Sequence, residues 1–235
     1  MPELSVVIPA YDEAARLPPS IDRVLEYLRA SGRSHELIVV DDGSKDSTVA
    51  TVEAMNRDGA GMRLVRHQVN LGKGAAVRTG VLASTGDMVL FTDADLSTPI
   101  EDAELLIAAL MEGADVAIGS RALNRHLVEV HQPFYRESMG RVFNLFVQAL
   151  LLPGLHDTQC GFKAFRGEVA RRLFQELEST GFDFDPEVLY RARRQGLVIR
   201  EIPVHWRNSP DTRVSAVSDS ARMFSALFRI RRRVR

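Results

Sequence analysis

A single cysteine, Cys160, stands in a chain of 235 residues. That excludes an intramolecular disulfide framework and fits a reducing compartment. Charge of one sign is lacking too. Thirty basic residues against 31 acidic ones leave a formal net charge of −1, so no global field draws the chain to nucleic acid. No apolar run reaches the roughly 20 residues that a membrane-spanning helix needs. The nearest, residues 142–155, is interrupted by Asn144 and Gln148 and suits a buried or interfacial helix. The first residues carry neither a basic region nor an apolar stretch of secretory length, so the expected place is the cytoplasm, in solution or peripheral on the cytoplasmic face of a membrane. Two nucleotide-binding signatures are missing as well. No GxxxxGK[ST] occurs, and no GxGxxG follows the first apolar run, which argues against a P-loop and against a dinucleotide fold. Internal repeats and low-complexity segments are also absent.

What the chain does have is a series of short apolar runs that end in polar turns, and 45% hydrophobic residues to build a core. Residues 4–8, 36–40, 62–66, 88–92 and 115–119 read as strands, the most apolar of them as strands covered on both faces. Helical spacing separates them: a helix with Ser20 as a plausible cap and Gly32 as its stop, then 47–57, 75–84, and one ending near residue 112. The last carries a full start signal, with Thr98 as N-cap, Pro99 at the first helical position and Glu101 closing a capping box. Beyond residue 121 the pattern loosens into a polar loop over 125–136 and an apolar helix to about residue 152. Helices over 168–177 and 185–195 and a strand over 198–204 follow. Strands and helices alternating in this way predict an α/β fold, a doubly wound, mostly parallel sheet with helices on both faces.

The polar residues fall at regular places. Four strand ends carry Tyr11 and Glu13, Asp41 and Asp42, Asp93 and Asp95, and Ser120 and Arg121. Loops after parallel strands share one edge of the sheet, so these groups converge on one crevice. Asp93 and Asp95 repel each other unless a cation sits between them, and Mg²⁺ or Mn²⁺ suits oxygen ligands while leaving positions for substrate phosphates. Lys73, in Asn70-Leu71-Gly72-Lys73-Gly74, reads either as a phosphate cation or as a surface lysine. Asp42 suits hydrogen bonds to a base or ribose and Asp41 a turn cap, while Tyr11 suits a stacked base or plain packing. His126, His131, His156 and His205 lack the spacing of a metal set, and Trp206 reads as core or rim. The carboxyl-terminal segment sets Met223, Phe224, Leu227 and Phe228 among six arginines between 222 and 235, the pattern of an interfacial helix drawn to anionic lipid.

With these residues in place, the chain resembles family 2 glycosyltransferases of the GT-A (nucleotide-diphospho-sugar transferase) fold, within them the dolichyl-phosphate glucosyltransferase and dolichyl-phosphate mannose synthase group. The motifs are Val6-Val7-Ile8-Pro9-Ala10-Tyr11-Asp12-Glu13, Val39-Val40-Asp41-Asp42-Gly43-Ser44, Asn70-Leu71-Gly72-Lys73-Gly74, Asp93-Ala94-Asp95 and Gly119-Ser120-Arg121. Asp157-Thr158-Gln159-Cys160-Gly161-Phe162-Lys163 points to the glucosyltransferase branch. The resemblance implies a nucleotide resting on Pro9, Tyr11, Glu13, Val40 and Asp42, with Asp93 at the ribose or sugar. It implies a divalent metal on Asp95, with Ser97 standing where some relatives use a Gln ligand. Lys73, Ala94, Asp157 and Gln159 join the donor site, and Arg121, Arg141 and Arg213 are the cations around the donor and acceptor phosphates. Asp185 falls where relatives with sugar acceptors place a base. The implied reaction is inverting transfer of a hexose, from UDP-glucose or else GDP-mannose, to a polyprenyl or dolichyl monophosphate. The alternatives are a soluble sugar or phosphorylated small molecule as acceptor, or a non-catalytic nucleotide-sugar-binding protein. Residues 1–207 are then the catalytic domain and 208–235 a basic amphipathic tail. Docking to a membrane surface falls to the helix over 142–152 and to that tail, with a membrane-anchored partner protein as a further expectation.

Overall fold

The structure, a computed structural model, describes residues 1–56, 61–130, 134–208 and 218–234, with the backbone alone at 134–136 and 218–222. Strand β1 (Leu4–Ala10) is the third strand from one edge of a seven-stranded sheet. It pairs in parallel with β2 (His35–Asp41) on one side and β4 (Met88–Thr92) on the other, and β2 pairs in parallel with β3 (Met62–Arg66). Every residue of β1 is buried. That is why its sequence is a continuous apolar run rather than an alternation, since helices cover both faces. Helix α1 (Leu17–Ala30) presents Leu17, Ile21, Val24, Leu25 and Leu28 to one face. Helix α3 (Lys73–Ala83) lays Ala76, Val77 and Val81 on the other, while α2 (Thr48–Met55) joins β2 to β3. Helix α4 (Ala103–Met111) follows β4 on the α1 side and leads into β5 (Val116–Ser120).

Four local expectations are corrected. The segment Phe162–Arg166, which sequence periodicity leaves unassigned, is strand β7, inserted antiparallel between β4 and β5. Its Lys163 and Arg166 hide an otherwise apolar run, because the Lys163 ammonium finds its partners only in the folded chain. The polar segment 125–136 contains a strand, β6 (Val128–Val130), paired with β9 (Trp206–Arg207), and helix α5 (Phe134–Leu150) begins inside it. Helix α1 starts three residues before Ser20, with Pro18 and Pro19 in its first turn, where missing N–H donors cost nothing. Nor does Thr98 cap a helix. Pro99 is extended (ψ 138°), a 3₁₀ turn over Ile100–Asp102 precedes α4, and the Glu101 carboxylate pairs instead with Arg23.

The remaining elements are α6 (Gly167–Gln175), α7 (Phe184–Arg194), the edge strand β8 (Ile199–Pro203) parallel to β5, and α8 (Ser218–Arg233). Helix α8 buries Ala226, Leu227 and Ile230, and Val234 just past its end, in the same core cluster as α5, α6 and α7. Its basic sequence thus describes one side of a packed helix. No helix among the described residues is long and apolar enough to cross a membrane.

Candidate active site

Strands β1, β2, β4 and β5 run in the same sense, so Ala10, Asp41, Thr92 and Ser120 end at one edge of the sheet. The antiparallel β7 begins at that edge, since Phe162 pairs with Thr92. This single reversal brings Asp157–Gly161 beside the loops after β4 and β5, a meeting that no local pattern announces.

The turn after β4 is tight. Leu96 N–H donates to the Asp93 carbonyl at 3.1 Å, and Ser97 N–H donates to Asp95 Oδ1 at 3.0 Å. Leu96 is left-handed, with φ +44°, a conformation that costs a side chain about 1–2 kcal/mol. Asp93 is ion-paired with Lys73 at 2.5 Å. Lys73 opens α3 behind Gly72, whose φ of +102° and close approach to the Thr180 carbonyl leave no room for a side chain. Burial by itself lowers the pKa of the Lys73 ammonium, but the carboxylates of Asp93, Asp185 and Asp95 outweigh it and hold the group above its ordinary range. Asp95 is half-buried, and its Oδ2 accepts no hydrogen bond among the described residues.

Asp185 lies 4% exposed in the first turn of α7, bound to Lys163 Nζ at 2.5 Å. Burial pushes its carboxyl pKa up, against the pull of Lys163 and Lys73. Lys163 is wholly buried. Its ammonium also donates to the Cys160 carbonyl at 2.6 Å and stands 5.4 Å from the Phe91 ring centroid. Sequence reasoning assigned Lys163 no role, yet it bridges the β7 start and α7. The lone thiol of Cys160, buried beside it, is pushed up to about 11 by that burial.

A second cluster occupies the β5 end. Arg121 grips Asp157 with Nε at 2.6 Å, Nη2 at 2.8 Å and its own backbone N–H at 3.0 Å, and its guanidinium lies 5.4 Å from the Trp206 ring centroid. Burial opposes both charges. Their mutual attraction wins, holding the Asp157 carboxyl below and the Arg121 guanidinium above their ordinary values. A cleft of about 420 Å³ opens here, lined among others by Arg121, Arg141, Asn144, Leu145, Gln159 and Trp206. Arg141 reaches Glu137 at 2.5 Å, and Arg125 pairs with the same carboxylate oxygen.

The residues expected at the β1 and β2 ends are present in altered settings. Glu13 is held by Arg16 through two hydrogen bonds of 2.7 and 2.5 Å. Asp42 is 2% exposed. Its oxygens accept from Leu71 N–H, Gly72 N–H and the His67 ring, so it anchors the loop that carries Lys73. His67, in turn bonded to Thr79, gave no sequence signal. Val40 buries its side chain under α3, 3.0 Å from where a Cβ on Gly80 would stand, and Pro9 is buried inside β1. Tyr11 is half-buried at the edge, Ala94 is buried in the carboxylate turn, and Ser97 ties its backbone to Asp95 and to Arg207 of β9. Arg213 lies outside the described residues.

Gly161 bears on Asp93 directly. A Cβ there would lie 2.1 Å from Asp93 Oδ2 and 2.4 Å from its Cγ. Gly161→Ala is expected to turn that carboxylate away from Lys73, lowering kcat/KM about 10²-fold while the thermal melt scarcely moves. An unaltered kcat/KM would refute this packing constraint.

A seven-stranded, mostly parallel sheet with acidic turns converging on one edge defines the nucleotide-diphospho-sugar transferase architecture. Solved structures agree: glucosyl-3-phosphoglycerate synthase from Mycobacterium tuberculosis superposes with a TM-score of 0.73 over 98% of this chain and 80% of that one, at 23% identity, a likeness of fold. The model of the glycosyl transferase family 2 matches residues 5–174, and the chain belongs to that family. Among similar sequences, the dolichyl-phosphate beta-glucosyltransferase of Dictyostelium discoideum is 37% identical over 97% of this chain and 73% of its own length. The Homo sapiens protein of the same description is 37% identical over 87% of this chain and 67% of its own.

Proposed function

We propose that this glycosyltransferase moves glucose from UDP-glucose to the phosphate of a dolichyl or other polyprenyl monophosphate, with inversion, at the cytoplasmic face of a membrane. The observation that carries the reading is one juxtaposition. The Asp93–Asp95 turn and a cation-lined cleft meet at the same sheet edge, and the cleft opens beside α5, whose outward residues Val142, Leu145 and Phe146 are exposed and apolar. The names of the curated relatives support the same acceptor class.

The donor set fits a divalent ion. Asp95 offers an oxygen with no hydrogen bond among the described residues, and those residues contain no group of three or more His, Cys, Asp or Glu able to hold an ion unaided. A metal would be held by Asp95, with Ser97 beside it, and would leave positions open to diphosphate and water, as Mg²⁺ and Mn²⁺ do. When bound, it supplies Lewis-acid charge stabilisation to the departing diphosphate. Lys73 adds a fixed positive charge where negative charge develops, and Asp93, locked to it, faces the sugar or ribose. Tyr11, Glu13, Pro9, the Val40 main chain and the loop anchored by Asp42 frame the nucleotide.

At the acceptor, Arg121, clamped by Asp157 and backed by Trp206, orients the phosphate with Arg141 and Gln159. An acceptor oxygen forms the new bond to the anomeric carbon as the bond to the diphosphate oxygen breaks, and the leaving group keeps the electron pair. The phosphate oxygen is already anionic, so no proton has to be removed. Asp185, committed to Lys163, then orients its surroundings and does not serve as a base. On this reading residues 1–207 hold the chemistry, and the outward side of α8 faces the membrane.

The test is transfer of label from UDP-glucose, and in parallel from GDP-mannose, to short polyprenyl phosphates with Mn²⁺ or EDTA. Metal-dependent glucose in the organic phase is the expected result. Label from GDP-mannose alone would overturn the donor, and transfer only to water-soluble phosphate esters would overturn the acceptor.

A further inference from the structure

Helices α5 and α8 pack side by side, with Phe224 edge-on to both Phe143 and Phe146 at centroid distances of 5.4 and 5.0 Å. Each helix buries one side in the core and leaves another outward. On α5 the outward side carries Val142, Leu145 and Phe146, which are 48%, 62% and 47% exposed. They recur at helical spacing with the exposed Ala149. On α8, Phe224, Phe228, Arg231 and Arg232 fall on one side at positions i, i+4, i+7 and i+8, and Phe228 is 58% exposed. Phe146 is exposed and also touches Phe224, so the two outward sides are one continuous surface across the seam.

Charge on this surface is of one sign. Arg231 and Arg232 are exposed and form no ion pair among the described residues. By contrast Arg229 and Arg233, on the next side of the helix, point to Asp183 and Glu178 at 4.0 and 3.3 Å. An apolar strip edged by unpaired arginines is complementary to an anionic lipid surface and poorly matched to water. The strip is also continuous with the cleft, because Leu145 both lines the cleft and stands in the strip, one turn from cleft residue Arg141.

We propose that the α5–α8 seam is the surface by which this transferase lies on an anionic bilayer, and that the acceptor's phosphate reaches the cleft over Leu145 while its chain stays in the lipid. The second clause rests on the proposed acceptor; the first does not. No helix among the described residues is long and apolar enough to cross a membrane, and the contact proposed for this seam is an interfacial one.

The experiment is flotation of the full chain with phosphatidylcholine vesicles, with and without about 30% phosphatidylglycerol, at physiological salt. Wild type is expected to float with the anionic vesicles only. Arg231→Glu/Arg232→Glu is expected to lower that partition at least about tenfold, and Val142→Asp/Phe228→Asp likewise. Both variants are expected to keep wild-type transfer to a short, water-soluble prenyl phosphate and a wild-type melt. Unchanged flotation in both variants overturns the surface. So does a dimer in vesicle-free solution that the same substitutions dissociate, because the seam would then be covered by a second copy. Flotation needs no acceptor, so failure of the transfer reaction leaves this result standing on its own.

Discussion

Asp95→Ala is expected to reduce metal-dependent transfer about 10³-fold, with the fold retained. The loss follows from what Asp95 does not do in the protein. It is half-buried at the sheet edge, and its one hydrogen bond among the described residues comes from Ser97 N–H at 3.0 Å. Losing that bond costs stability about 1 kcal/mol, with some relaxation of the left-handed Leu96. In the proposed metal site, losing this carboxylate is expected to remove about 4 kcal/mol of stabilisation from the departing diphosphate, and each 1.4 kcal/mol or so is a factor of ten in rate. Asp95→Asn separates the two effects, since it keeps the turn and loses the charge. The measurement is initial rate against Mn²⁺ concentration, alongside a thermal melt. Near-normal turnover in the alanine variant would remove Asp95 from the metal site.

Lys163→Met has the largest expected effect on stability. The ammonium sits in a central strand, has no exposure, and donates to Asp185 and to the Cys160 carbonyl. Methionine fills similar space but leaves Asp185 buried without its nearest counter-charge. Removing one partner of a buried pair costs about 3–5 kcal/mol, which for a chain of this size lowers Tm by roughly 6–20 °C. The pH dependence gives the sign. Burial already raises the Asp185 carboxyl above its unfolded value, and Lys163 is the first of the two cations that restrain it. Without Lys163 the folded state holds the Asp185 proton more tightly than the unfolded state does. The variant therefore recovers stability as pH falls from neutrality and loses it as pH rises through the folded pKa. Lys163→Met/Asp185→Leu is expected to regain part of the lost Tm, because an apolar pair replaces a broken ionic one. A single variant melting with wild type would show that Lys163 is not required there.

Much of the sheet was legible because burial on both faces leaves a plain trace. The strands over 4–8, 36–40, 62–66 and 88–92 fall inside or on the observed β1 to β4, and their shared direction put Asp41, Asp93 and Arg121 at one edge. The place of the Asp-Ala-Asp turn was legible for the same reason: it directly follows a buried strand, whose end fixes the edge it occupies. Segments whose stability depends on distant partners were not. Lys163 made β7 look unlike a strand, and Asp185 is 22 positions away. Thr98 bore every mark of an N-cap, but it packs against Cys160, 62 positions on, while Pro99 stays extended. The polar run at 125–136 concealed β6 because β9, its partner, lies near residue 206.

Asp42 and Asp157 make the division plain at single residues. The sequence by itself determined that carboxylates stand at strand ends, that the family motifs occur in order, and that a basic amphipathic helix closes the chain. Periodicity and residue type are local, and they bias the backbone before any tertiary contact forms. Only the tertiary structure decided what each group faces. Asp42 turns inward to hold the Lys73 loop, Asp157 clamps Arg121, and α8 lays one side in the core and leaves Phe228 and two arginines outward beside α5. These outcomes depend on a close approach between residues that chain separation leaves undetermined, and on desolvation that settles which charges are paired. Both are properties of the packed molecule.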